Sequence, residues 1–98
     1  MFEIKFTEEA IEDLQWFKKA ERRGYVMGEI ETVISLEPTT ETRNRKRLRP
    51  NELAEWEVRI DDFRVFYDVD QENKSVNIAA VGYKEGSQLF IRGKEYKL

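Results

Sequence analysis

The sequence predicts an α+β domain with an N-terminal strand, two helices forming an antiparallel pair, and then a three-strand antiparallel meander. Three observations predict it. Glu55–Ile60 alternates strictly, with Trp56, Val58 and Ile60 set against Glu55, Glu57 and Arg59, the period of two that a half-buried strand requires. Phe63–Val69 repeats the alternation through Phe63, Val65, Tyr67 and Val69 after Asp61-Asp62, residues that tolerate the positive φ of a tight turn. Upstream, apolar residues recur at helical spacing between polar ones.

In chain order, Phe2–Phe6 reads as a short strand with Phe2, Ile4 and Phe6 on one side. Thr7 is a helix N-cap. Glu8, Glu9, Glu12 and Asp13 crowd the first turns and Lys18, Lys19, Arg22 and Arg23 the end, an order that complements the helix dipole. The apolar stripe is Ala10, Ile11, Leu14 and Phe17, and Gly24 is the expected stop. A second helix is expected from Tyr25 or Val26 to about Leu36, with Val26, Ile30, Val33 and Ile34 as its buried stripe and Pro38 beyond its end. The third meander strand is expected over Lys74–Tyr83 after the loop Asp70–Asn73, with Val76, Ile78 and Ala80 completing the core face. Gly86 ends it. Leu89-Phe90-Ile91 is a short apolar run, Gly93 turns the chain, and Tyr96 and Leu98 are placed to clip the tail to the body.

Ninety-eight residues make one domain with one modest core. Charged residues are 38% of the chain, but both signs are mixed and the net charge is −3, which describes a soluble surface and not a disordered polyelectrolyte. The chain has no cysteine and no histidine. Disulfides and thiolate metal sites are excluded, a zinc site is disfavoured, and neither metal nor cofactor is expected. Acid–base chemistry must fall to Glu, Asp, Lys or Tyr. No apolar run approaches the roughly 18 residues of a membrane helix, and the N-terminus has no signal-peptide core. The expected compartment is the cytoplasm, with no membrane partner.

Two features carry the functional reading. A two-residue turn at Asp61-Asp62 sets Ile60 opposite Phe63, Val58 opposite Val65 and Trp56 opposite Tyr67, so Arg59 falls opposite Arg64. Like charges so placed destabilise a hairpin. Either solvent and Glu57 relieve the repulsion, or the pair awaits an anion. Upstream, Arg43, Arg45, Lys46, Arg47 and Arg49 make five of seven consecutive residues basic. That run is either a solvated connector or a phosphate-tracking patch beside the sheet.

The order strand, helix, helix, basic linker and meander resembles the RelE/ParE superfamily of toxins from type II toxin–antitoxin systems, whose microbial-RNase-like sheet is packed by helices. The residues that carry the resemblance are Arg47-Leu48-Arg49-Pro50, Trp56-Glu57-Val58-Arg59-Ile60, Phe63-Arg64-Val65-Phe66-Tyr67-Asp68-Val69 and Val81-Gly82-Tyr83-Lys84-Glu85. Members are neutralised by a cognate antitoxin. RelE-type members cut mRNA at the ribosome, and ParE-type members inhibit DNA gyrase. The resemblance implies phosphate-stabilising roles for Arg64 and Arg59 and a cationic role for Lys84. Two lysines of RelE proper fall on Glu55 and Glu57, and its C-terminal tyrosine falls on Phe90. Glu57, on the Arg59/Arg64 face, could act as the base in a ribonuclease, or could form ion pairs only. Tyr83 could stack on an RNA base, or pack. Three functions follow: an mRNA endoribonuclease, a gyrase-binding toxin without chemistry, or an inactive protein that only binds an antitoxin.

Overall fold

The chain runs β1 (Glu3–Phe6), α1 (Glu8–Gln15), α2 (Ala20–Ile34), β2 (Arg45–Arg47), β3 (Trp56–Ile60), β4 (Phe63–Asp70), β5 (Ser75–Glu85), β6 (Gln88–Ile91) and β7 (Lys94–Tyr96). The structure, a computed structural model, describes residues 1–16 and 20–98, without the side chains of residues 20 and 21. All strands belong to one sheet in the order β2-β3-β4-β5-β6-β7, and β1 lies parallel to the first part of β5.

The meander has the register expected from its turn. Trp56 faces Tyr67, Val58 faces Val65, Ile60 faces Phe63 and Arg59 faces Arg64. Asp61 takes the positive φ, 54°, that closes the bend. These apolar side chains form the main core with Val76, Ile78 and Val81 of β5 and with Ala10, Leu14, Val26, Ile30 and Ile34 of the helices. Each fully buried aliphatic side chain contributes roughly 1.5–3 kcal/mol.

The helices break where glycine does not. Gly24 was the expected stop, but α2 runs through both Gly24 and Gly28. An interior glycine costs about 1 kcal/mol, less than the burial of Val26, Ile30 and Ile34, all 0% exposed, returns. The first helix ends at Gln15 instead, so Arg22 and Arg23 sit near the start of α2 and not at the end of α1. Phe17, Lys18 and Lys19 lie outside the described residues. Thr7 does cap α1, its Oγ1 accepting from the Ala10 amide at 3.1 Å. Ile11, expected in the buried stripe, is 47% exposed, whereas Asp13 is buried.

Ala80 is not on the main core face. Phe66 pairs with Ala80 but Tyr67 pairs with Ile78, so Ala79 is an extra residue in β5. This bulge reverses the alternation. Val81 and Tyr83 therefore face the helices, and Ala80 turns to the other side. There it joins a second apolar cluster with Phe66, Ala54, Leu89 and Ile91, with Leu48, Leu53, Ala79 and Tyr96 packed against it. The basic segment also differs from a plain connector: Arg45–Arg47 is an edge strand paired with Val58–Trp56. At the C-terminus Tyr96 is half-buried, as a clip would be, but Leu98 is 58% exposed.

Candidate functional site

The face of the sheet away from the helices is read off the register. Opposed residues share a face, so Lys46, Glu57 and Phe66 form one row, Arg59, Arg64 and Gly82 the next, and Lys84, Leu89 and Tyr96 a third. The segment 48–54 folds over part of this face. Asn51 fixes its bend: its Oδ1 accepts from the amides of Leu53 and Ala54 at 2.6 and 3.0 Å, and its Nδ2 donates to the carbonyls of Arg49 and Ala54. Leu48 and Leu53 are thereby held against the second apolar cluster, whose Phe66 is 0% exposed.

Between this segment, the sheet and the C-terminal hairpin lies a cavity of about 810 Å³. Its lining includes Lys46, Arg49, Arg59, Arg64, Lys84 and Lys97 around the carboxylate of Glu57, while Arg47 and Glu95 border it from positions opposite Trp56 and Phe90, on the other face of the sheet. A chain of net charge −3 can hold such a site, because salt screens charges more than about 10 Å away at 0.1 M.

Arg64 is the most constrained of these groups. Only 8% exposed, it donates from one guanidinium nitrogen to the carbonyls of Asp61 and Phe63, at 3.0 and 2.8 Å. Its Nε lies 3.9 Å from Glu57 Oε2 and makes no hydrogen bond. Burial, and then the neighbouring Arg59, pull its pKa below the ordinary arginine value, against the charges of Glu57 and Asp62. Arg59 is exposed, and among the described residues no carboxylate pairs with it. The arginine pair is thus on one face with one partly compensated and one uncompensated charge. Glu57 is itself buried at 7% exposure, not on an open surface. Glu55, just outside β3, is exposed and pairs with Arg47 at 3.6 Å.

The other expected site residues divide. Lys46, Arg49 and Lys84 line the cavity, whereas Arg47, which borders it, opposes Trp56 and lies over that ring at 5.9 Å, on the core side of the sheet. Arg45 does not line it. It opposes Val58, so its side chain runs to the helix side, donating to the carbonyls of Val33 and Thr40 at 2.7 and 3.1 Å. Arg43 is exposed outside the cavity lining. Tyr83 is on the core face opposite Phe63, stacked on Phe90 with ring centroids 5.6 Å apart, away from the arginines. Phe90 itself therefore faces away from the cavity, and the phenol that reaches the lining is that of Tyr96.

Tyr96, Glu95 and Lys97 were not among the expected site residues. Arg92-Gly93 could have announced them: both residues have positive φ, 52° and 76°, and they join β6 to β7 as a two-residue hairpin turn.

Solved structures share this architecture. The RelBE2 toxin–antitoxin complex from Mycobacterium tuberculosis matches with a TM-score of 0.74 and 25% identity, over 85% of this chain and 91% of that one. The isolated Escherichia coli RelE toxin matches at 0.64 and 22%, over 89% and 88%. The YoeB–YefM complex from Staphylococcus aureus matches at 0.63 and 22%, over 87% and 99%. No curated protein matches the chain in sequence. The fold and the family match together define a toxin of the RelE/ParE superfamily. Residues 4–87 match the family model for the ParE toxin of type II toxin–antitoxin systems, parDE, and the chain belongs to that family.

Proposed function

We propose that this toxin is an endoribonuclease acting on ribosome-bound mRNA, with the RNA backbone held in the cationic cavity. The observation that carries the reading is the concentration of cations around Glu57, with Arg64 Nε buried without a hydrogen bond 3.9 Å from the Glu57 carboxylate. In this reaction Glu57 takes the proton from a ribose 2′-hydroxyl. The 2′-oxygen attacks the adjacent phosphorus, Arg59 and Arg64 stabilise the charge on the phosphorane, and the bond to the 5′-oxygen breaks as Lys84 donates a proton to it. The product is a 2′,3′-cyclic phosphate. Arginine suits the stabilising role through its planar fork of donors. A ribosomal target places the action in the cytoplasm.

The antitoxin is the proposed protein partner, as in the toxin–antitoxin complexes that share the fold. It would neutralise the toxin by placing carboxylates where the RNA phosphates bind.

A second reading has its own support. The matched family is described as ParE, and Glu57 already faces Arg64 in a closed pair. A toxin that binds DNA gyrase without chemistry would need the cations but not a free base. Induced expression followed by mapping of mRNA 5′ ends separates the readings. New 5′ ends that vanish in Glu57→Gln, with the fold intact by circular dichroism, are the expected result. Unchanged toxicity in Glu57→Gln would end the role of that carboxylate. Growth arrest without new ends, with loss of supercoiling by gyrase, would establish the second reading, and no arrest would leave a protein that only binds its antitoxin.

A further inference from the structure

We propose that the first helix acts on the RNA cavity from a distance: Asp13 and Trp16 are positioning residues that grip the turn Arg92-Gly93 and so hold Tyr96 and Lys97 at the cavity wall. This deepens the RNA reading above and rests on it.

One edge of β5 has a gap in its pairing. β1 runs beside it as far as Ile78, and β6 joins it at Tyr83. The start of α1 fills the gap. Thr7 Oγ1 donates to the carbonyls of Ile78 and Ala79 at 2.9 and 3.2 Å. Asp13, 1% exposed, accepts from the Val81 amide at 2.9 Å through one oxygen and faces Arg92 Nε at 3.0 Å with the other. Glu12 takes Nη1 of the same guanidinium at 2.7 Å. Trp16, which ends α1, lies with its ring against Gly93, where an added Cβ would come within 3.1 Å of it. Both residues of the turn are thus held from one helix.

The hairpin depends on this hold for its direction. β7 ends the sheet and pairs with β6, and β6 meets β5 through Tyr83–Phe90, Lys84–Leu89 and Glu85–Gln88. Tyr96 opposes Leu89, which opposes Lys84, so Tyr96 stands two strand spacings, about 10 Å, out from the central strand. Fixed at its base only, the hairpin can tilt about β6, and its outer strand moves farthest. Apolar contacts of Leu89 and Ile91 in the second cluster are non-directional; the carboxylates on Arg92 and the ring on Gly93 set where the tip lies. Tyr96 and Lys97 line the cavity, whereas Asp13, Trp16 and Arg92 do not. They act on a bound RNA through the hairpin, and displacements of about 1 Å are enough to degrade a binding constellation.

The test is titration of a short single-stranded RNA into the purified toxin and into Asp13→Asn, Arg92→Gln and Trp16→Ala, with amide exchange measured on each. Trp16 is 57% exposed, so its variant keeps the core. The three changes also separate position from charge. Overall charge alone would tighten RNA binding in Asp13→Asn, weaken it in Arg92→Gln and leave Trp16→Ala as it was. The expected result is RNA affinity at least about fivefold weaker in all three, equivalent to about 1 kcal/mol, with exchange accelerated in residues 88–96 and little changed in β3 and β4. Tighter binding in Asp13→Asn with Trp16→Ala unaltered would reduce the grip to a charge effect. Faster hairpin exchange with wild-type RNA affinity in all three would make it a structural tie. Either outcome overturns the positioning role and leaves the RNA reading standing; a wild-type toxin that binds no RNA removes both.

Discussion

The carboxylate of Asp13 on α1 accepts a hydrogen bond of 2.9 Å from the Val81 amide, where β5 resumes its pairing after the bulge. Its other oxygen faces Arg92 Nε at 3.0 Å. One carboxylate, 1% exposed, therefore ties the first helix to the central strand and to the hairpin that carries Tyr96. Burial raises its pKa above the ordinary 3.8, opposed by the Val81 amide and Arg92. The folded protein holds this proton more tightly than the unfolded chain does. The stability contributed by this group accordingly falls as pH rises from the unfolded value through the raised folded one. Asp13→Ala should cost about 1–3 kcal/mol by leaving the Val81 amide unpaired. Asp13→Asn should cost less and flatten that part of the pH dependence. Urea unfolding between about pH 4 and 7 measures both, and slopes equal to wild type would show that the carboxyl does not titrate with folding.

Arg59 and Arg64 give a prediction in which stability and binding move in opposite directions. Their side chains share a face across β3 and β4, and Arg59 is the exposed member. Arg59→Gln removes a like-charge contact, so the hairpin should gain roughly 0.2–1 kcal/mol. The same change should weaken binding of single-stranded RNA and reduce the slope of log K against log salt by about 0.7, the value for one lost phosphate contact. A variant less stable than wild type, or one that binds RNA with an unchanged salt slope, would contradict the arrangement.

The sequence disclosed the meander because a two-residue turn and a period of two leave one register that buries Trp56, Val58, Ile60, Phe63, Val65 and Tyr67 together. It also disclosed the opposition of the two arginines. The basic run was harder. Once Arg45 pairs with Val58, parity sends Arg45 inward and Lys46 to the cavity, but the pairing depends on a tertiary contact of a strand that the composition disguises as a linker. The bulge at Ala79 has no local signature, so strict alternation puts Ala80 on the wrong face. Burial of Phe66 and Glu57 on the outward face depends on the segment 48–54 folding back, which the alternation of β3 and β4 cannot report. Gly24 illustrates the reverse error, a local preference overruled by the packing of Val26 and Ile30.

Gly82 lets β6 lie close against β5 by its lack of a side chain. A Cβ there would lie 2.6 Å from the Phe90 carbonyl oxygen, 3.0 Å from Ile91 Cγ1 and 3.2 Å from Leu89 Cδ1. The nearest atom is backbone, which cannot rotate away. Gly82→Ala must push β6 from β5 and should destabilise the protein by about 1–3 kcal/mol. Amide exchange should accelerate first in residues 88–96, with the meander amides of β3 and β4 less affected. Uniform acceleration throughout the sheet, or none, would show that the hairpin does not bear the strain.

Tyr67 offers a prediction at the alkaline end. Its phenol, 0% exposed, donates to the Pro38 carbonyl at 2.6 Å and pins the chain after α2 to β4. Burial raises its pKa to about 12, with the nearby Arg45 acting against the shift, whereas a phenol in the unfolded chain titrates near 10. Between those values the folded state keeps a proton that the unfolded state has lost, so stability must fall as pH rises from about 10 to 12. Tyr67→Phe should lessen that fall. It should not abolish it, because Tyr25, which donates to Asp61 at 2.9 Å, has its pKa raised by the same hydrogen bond. At neutral pH Tyr67→Phe should cost about 1–3 kcal/mol, since the Pro38 carbonyl loses this donor. Thermal unfolding of both proteins at about pH 7 and pH 11 checks the sign: a difference between wild type and variant that does not shrink on going alkaline would mean that Tyr67 ionises without cost in the folded protein.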